Sequence, residues 1–342
     1  MRRFLIIQTA FIGDAILTLP MIQKLKEQNK DAEIDVLAIP STKEIFNSSP
    51  FVNKVIEIDK KKKHKSLISL FKFAKKLKSN NYAKIYCPHR SLRSAILTKL
   101  LAVDESFSFS NSKLKFFYTN IITYNKKQHE VQRNLDLISY NYNDESWRII
   151  PSIEVSISSK NKVDDFFVNL KAKIKFAAVA PGSIWETKKY PKNYYTEIVK
   201  LLTADSFTVF LIGGKDDEEI CNSILEKSGE QVISVAGKFS LTESIEFLKR
   251  MEVLIANDSA PTHLGVCANI PVLTIYCSTV PNFGFYPYNK KSSFMSYNDL
   301  ECKPCGIHGL QKCPIKTFEC GNFIKPGQVI MKIKDMLNDR NI

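Results

Sequence analysis

Polar side chains gather at the ends of apolar runs at a few points along the chain, and those points are where chemistry could be done. The densest is residues 253–276, VLIANDSAPTHLGVCANIPVLTIY. An apolar run gives way to Asn257, Asp258 and Ser259, all types that cap helices, and Pro261 falls where a first helical turn tolerates proline. A helix start of this kind offers backbone N–H groups and the positive end of its dipole to an anion such as a phosphate. An ordinary capped crossover helix has the same local signature, and both readings stand at this point.

Two more loops share its position after an apolar run. Residues 181–191 read PGSIWETKKYP and residues 213–217 read GGKDD. Gly182, Gly213 and Gly214 let backbone approach a ligand, Ser183 and Thr187 can donate hydroxyl hydrogen bonds, and Lys188 or Lys189 can neutralise a phosphate as a point charge. A lone glycine pair is a weak signal, but three such loops on one sheet edge suit a nucleotide diphosphate. In the first half of the chain, Gly13 permits close approach of backbone. Asp14 falls at or next to a helix N-terminus, either as an ordinary N-cap or as a carboxylate presented to a ligand. Arg90 and Arg93, in PHRSLRS, can hold an anionic substrate or merely meet solvent.

The cysteines Cys302, Cys305, Cys313 and Cys320 form a C-x2-C-x7-C-x6-C run. Its first pair has metal-knuckle spacing; the second is wider than usual zinc pairs, and no histidine is in good register. Reduced loop thiols are the favoured reading over structural zinc.

Strands are expected at residues 4–7, 34–39, 54–58 and 84–87, then at 176–180, 208–212, 232–234, 253–256 and 272–276. Helices are expected between them, at 15–28, between 39 and 54, at 67–77, from 88–94 through 101, at 129–140, 162–170, 194–202, 217–227, 242–251, from 261 through about 268, and at 326–337. In the helix at 67–77, Leu67, Leu70, Phe71, Ala74 and Leu77 repeat at helical spacing, with lysines on the other face. Residues 104–128 are poorly periodic and read as a strand and loops. Strands alternating with helices, twice over, predict an α/β protein with two parallel sheets. In such sheets ligands bind beyond the carboxyl ends of the strands. The expected divisions are an N-terminal domain at 1–160, a C-terminal domain at 161–325, and a last helix at 326–342 packing across a domain.

The 342-residue length suits two domains, and 44% hydrophobic with 25% charged residues is globular composition. Basic residues before an apolar run at the start resemble a signal peptide. Gln8, Thr9 and Asp14 break that run, and no stretch reaches the roughly 20 apolar residues of a membrane span. A cytoplasmic location is expected, with thiols reduced. The +14 net charge is uneven: residues 51–100 carry 14 Lys or Arg against 2 Asp or Glu. Such a patch suits a polyanion or an acidic membrane face, and equally a solvated lysine-rich surface, as KKKKHK at 60–65 could be. No aromatics are interleaved there, which argues against nucleic acid.

Together, FLIIQTAFIGDAILTLP, HRSLRSA, HEVQRNLDLI, APGSIWETKKYP, LIGGKDDEE and above all NDSAPTHLGVCANIPVLTIY resemble the lipopolysaccharide heptosyltransferases of glycosyltransferase family 9. The resemblance implies the GT-B fold, two Rossmann-like domains facing a central cleft, with acceptor in the first and nucleotide sugar in the second. It implies an inverting, metal-independent transfer of heptose from ADP-heptose to a lipopolysaccharide inner-core acceptor, with Asp14 as general base. On it, Ser183 and Lys188 match phosphate-binding positions; Asp258, Ser259, Ala260, Pro261 and His263 match the donor loop and helix start. Gly13, Arg90 and Arg93 fall in the acceptor half. Ala260 stands where many members have glycine. The implied partners are a nucleotide sugar, an acidic glycolipid and the anionic inner face of the cytoplasmic membrane, met by a monomer. The rival readings are a member using another sugar or acceptor, and a non-catalytic nucleotide-sugar-binding protein.

Overall fold

The computed structural model describes residues 2–168, 170 and 175–338. The chain divides into two compact units, Met1–Glu154 and Val155–Ile342. The ends of the expected helix at 162–170 and of the expected segment at 326–342 include residues outside the described ones.

In the first unit, chain order runs β1 (Arg3–Ile7), α1 (Ile12–Gln28), β2 (Glu33–Ala38), α2 (Lys43–Asn47), β3 (Lys54–Glu57) and α3 (Leu67–Lys78). It continues through β4 (Lys84–Cys87), α4 (Leu92–Leu101), β5 (Glu105–Phe109), β6 (Asn120–Ile122) and α5 (Glu130–Asp136). All pairings are parallel, in the order β3-β2-β1-β4-β5-β6. This is the doubly wound order in which the chain reverses direction across the sheet between its first and fourth strands.

The second unit holds α6 (Ile157–Val168), β7 (Lys175–Ala180), α7 (Lys192–Ala204), β8 (Phe207–Leu211), α8 (Glu218–Leu225), β9 (Val232–Ser234) and α9 (Leu241–Leu248). Then come β10 (Val253–Asn257), α10 (Ala260–Cys267), β11 (Val272–Tyr276), β12 (Ser293–Ser296), α11 (Glu319–Asn322) and α12 (Pro326–Asn338). Its parallel sheet runs β12-β11-β10-β7-β8-β9, the same order read from the other edge. Its switch point lies between β7 and β10.

Local chemistry explains most of these elements. β8, β10 and β11 are buried along their length, as continuous apolar runs between two helical layers should be. Ser66 and Ser91 cap α3 and α4 by accepting the backbone N–H groups of Ser69 and Ser94, and Ser240 forms a capping box with Glu243. Helix α6 begins at Ile157, ahead of the expected start, and Phe166 and Phe167 fasten it to Phe210 and Phe247 with ring centroids 5.2–6.1 Å apart. Helix α12 lays Val329, Ile330, Ile333 and Met336 in the core of its own unit.

One helical face differs from expectation. On α3, Leu70, Ala74 and Leu77 are buried in the core, whereas Leu67 and Phe71, expected on the same face, are exposed. Positions 70, 74 and 77 already span the stripe that one neighbouring layer can cover, and 67 and 71 lie off its edge.

Candidate functional site

The expected site residues fall in both units, chiefly at the two switch points. In the second unit they follow β7, β8 and β10. Asn257, the last residue of β10, is fully buried and staples the corner. Its side-chain amide donates to the carbonyls of Pro181 (2.8 Å) and Gly182 (3.2 Å), and its Oδ1 accepts from the Tyr190 backbone N–H and the Tyr195 hydroxyl, both at 2.9 Å. The sequence suggested a cap; the structure makes it the tie between the β7 and β10 loops.

Lys188 and Asp258 meet as an ion pair, Nζ to Oδ2 2.7 Å, and Lys188 also donates to the Asp258 carbonyl at 3.2 Å. The Thr279 hydroxyl donates to the same carboxylate oxygen at 2.7 Å. Behind them α10 starts with Ala260 and Pro261, and no side chain caps it. The Ser259 hydroxyl points instead to the carbonyls of Gly182 and Asn257. His263 is buried, its Nδ1 makes no hydrogen bond among the described residues, and burial pushes its pKa down to about 4. It is therefore a neutral ring beside a paired lysine and aspartate.

The glycines and hydroxyls of this corner have nearer occupants than a ligand. A Cβ on Gly182 would lie 1.9 Å from Asp217 Oδ1, and one on Gly213 would lie 2.5 Å from the Asp217 Cβ. The Asp217 carboxylate accepts the Gly214 N–H at 2.9 Å, so it is Asp217 for which these glycines make room. The Ser183 hydroxyl accepts from the Trp185 N–H. Thr187 exchanges hydrogen bonds with the backbone of Leu310, donating to its carbonyl and accepting its N–H at 2.8 Å. That contact seats the cysteine-rich loop against the lysine loop. Cys302, Cys305, Cys313 and Cys320 are free thiols lining one small cavity there. Among the described residues, no group of three or more His, Cys, Asp or Glu side chains is arranged to hold a metal.

In the first unit the residues follow β1 and β4. Asp14 is the third residue of α1, after the N-cap Phe11, so it is not itself the N-cap. Its partly buried carboxyl accepts the Phe11 N–H. Burial first, then the Glu130 carboxylate, pushes its pKa up to about 6, against the opposing pull of Arg90. Gly13 lies beside it in the first turn of α1. The Arg90 guanidinium lies over the Tyr124 ring, 4.3 Å from its centroid.

Several residues of this corner were not legible as site residues. Arg133 is fully buried, pairs with Glu130 at 2.8 Å, donates to the carbonyls of Asn125 and Lys126 at 2.9 Å, and also lies over Tyr124. Asn134 ties α5 to α1 by donating to the Leu17 carbonyl at 3.0 Å, which holds Glu130 near Asp14. The spacing of Glu130 and Arg133 within HEVQR was the available signal, since residues three apart meet on a helix. His89 Nδ1 is 2.8 Å from the Thr9 hydroxyl, and burial, then Lys60 and Arg90, lower its pKa to about 4. Lys60 donates to the Thr9 carbonyl at 2.6 Å. Arg93 does not face this corner with a free head: it donates to the backbone carbonyls of His64 and Lys65.

Two doubly wound units, each with charged and polar groups gathered at its switch point, define an α/β protein of the Rossmann-like class, whose switch points bind nucleotides and small substrates. A family model, glycosyltransferase family 9 (heptosyltransferase), matches residues 70–311. The chain belongs to that family, and the fold matches GT-B heptosyltransferase structures. It is 26% identical over 295 residues to lipopolysaccharide heptosyltransferase 1 of Campylobacter coli, covering 80% of this chain and 83% of that one. It is 24% identical over 348 residues to lipooligosaccharide heptosyltransferase 2 of Campylobacter jejuni, covering 97% of each. Among solved structures, the E. coli ADP-heptose lipopolysaccharide heptosyltransferase II superposes with a TM-score of 0.79 at 20% identity over the whole of both chains.

Proposed function

We propose that this glycosyltransferase moves heptose from ADP-heptose to an acidic, lipid-anchored lipopolysaccharide inner-core acceptor, with inversion and without a metal, at the cytoplasmic face of the membrane. The observation that carries the reading is Asp14: a carboxyl held at a switch point by α1, its pKa raised to about 6 against the opposing pull of Arg90. A base tuned close to neutral pH accepts a proton most usefully there. Arg90, Lys60 and the neutral His89 give that corner the donors and positive charge that an acidic sugar needs.

In the reaction, the acceptor hydroxyl oxygen forms a bond to the anomeric carbon of the heptose while the bond from that carbon to the diphosphate oxygen breaks. Asp14 takes the hydroxyl proton, and the electron pair of the broken bond leaves with ADP. Attack opposite the leaving group inverts the carbon. Charge developing on the diphosphate is met by Lys188 and by the uncapped start of α10, a fixed positive environment of the kind that lowers barriers. Similarity to heptosyltransferases across nearly the whole chain supports the choice of sugar and acceptor.

The test is mass spectrometry of product formed from ADP-heptose and a deacylated core acceptor. Wild type should transfer one heptose, and Asp14→Asn should abolish transfer while ADP binding stays within about tenfold. Full turnover by that variant would remove Asp14 from the role of base.

A further inference from the structure

The exposed apolar residues of α3 have no use in the core or in either corner. Leu67, Ile68 and Phe71 are 59%, 71% and 54% exposed. They occupy the solvent side of the first turn, a single patch on a helix. Isolated surface leucines mean little, but a contiguous apolar patch rimmed by charge marks an interaction surface. The rim here is lysine: Lys61, Lys62, Lys63 and Lys65 precede the patch, Lys72 and Lys75 follow it, and all are exposed.

This display rests on a built mount. Asp59 accepts the backbone N–H groups of Lys61 and Lys62 at 3.0 and 2.9 Å, His64 packs on Phe73 with centroids 4.5 Å apart, and Arg93 binds the carbonyls of His64 and Lys65. Lys60 joins the turn to Thr9, five residues before Asp14. The lysine turn before the patch is thus tied by hydrogen bonds to the loop that leads into α1 and Asp14. Among the described residues no helix is long and apolar enough to cross a membrane.

We propose that the first turn of α3 and the lysine turn before it dock on an anionic bilayer, Leu67, Ile68 and Phe71 entering the headgroup boundary while Lys61, Lys62, Lys63 and Lys65 meet lipid phosphates. This rests on the reading of the acceptor as lipid-anchored. An amphipathic helix binds this way through buried apolar area together with attraction between lysines and acidic lipid. The residues that Arg93 and Asp59 hold in place are then a fixed anchor, and the acceptor corner is brought to the plane where its substrate lies.

The experiment measures flotation with vesicles of equal phosphatidylglycerol and phosphatidylethanolamine, and with phosphatidylcholine alone, for wild type and Ile68→Asp/Phe71→Asp. The full chain should bind the anionic vesicles and not the neutral ones, and the variant should bind at least about tenfold more weakly. Added salt should weaken wild-type binding without abolishing it, because the apolar part is not screened. Equal vesicle binding by the variant, no binding by wild type, or equal binding to neutral lipid would overturn the proposal. So would sedimentation in which the same substitutions only convert a dimer to a monomer. Turnover of the deacylated acceptor separates this from the functional reading: the variant should match wild type there, and failure of wild type to turn it over would sink the reaction, not the docking face.

Discussion

Lys188 and Asp258 form an ion pair 2.7 Å long whose side chains are both mostly buried. The lysine read as a phosphate ligand is therefore already neutralised, and a diphosphate must share it with Asp258 or take it away. Lys188→Ala should weaken ADP binding by about 10- to 100-fold, since a charge-assisted contact is lost. It should also destabilise the fold by about 2 kcal/mol, because it leaves Asp258 with Thr279 as its remaining partner. Asp258→Asn should bind ADP as tightly as wild type or more so. Calorimetric titration checks both; weaker binding by Asp258→Asn would mean that the carboxylate itself contacts the donor.

Glu130 lifts the proton affinity of Asp14 across space. The acid limb of kcat/KM should lie near pH 6 in wild type, with activity lost as Asp14 is protonated. Glu130→Gln removes the like charge and moves that limb to lower pH. The pH–rate profile is the readout, and a limb that stays in place would assign Glu130 to structure alone. The variant should also lose about 2 to 4 kcal/mol of stability, because Arg133 is left buried without its carboxylate.

Asp14 itself opposes folding when ionised. Its folded pKa of about 6 lies above the ordinary 3.8, so its protonated form is favoured in the fold. Relative to the protonated state, stability is lost as pH rises from about 4 through about 6. Asp14→Asn should therefore be more stable than wild type by on the order of 2 kcal/mol at pH 8 and alike at pH 3.5. Denaturant unfolding at the two pH values measures this, and equal stability at pH 8 would show that the carboxylate is well solvated.

Gly182 and Asp217 compete for one volume. Gly182→Ala places a methyl group 1.9 Å from Asp217 Oδ1, and that carboxylate is anchored on the Gly214 N–H. A loss of about 1 to 3 kcal/mol is expected. Removing the obstacle in Gly182→Ala/Asp217→Ala should recover part of it, giving a favourable coupling in a double-mutant cycle. Additive losses would mean that the loop clashes elsewhere.

Much of the architecture was legible locally. Buried strands such as VLIAN and VLTIY are continuous apolar runs, and their alternation with helices announces parallel sheets. Ends were less legible. β12 (SFMS) has too little apolar character to read as a strand, and it exists because β11 offers an edge to pair with. The α3 stripe was read too wide, because periodicity shows which residues share a side but not how much of that side a neighbour covers.

By itself the sequence determined the two parallel sheets, the loops that end on charged residues, and the placing of Asp14 in the first turn of a helix. These depend on near neighbours, through strand patterning, capping types and helix dipoles. Only the tertiary structure decided the common strand order that makes switch points of those loops. It also decided which groups meet: Lys188 with Asp258, Asp217 over Gly182, Asn257 with Pro181, Glu130 near Asp14, Arg93 on the lysine turn. Most of these partners are tens of residues apart, and parallel crossovers bring them together. Charge and hydrogen-bonding capacity are written in residue types, whereas pairing and burial depend on what packs nearby.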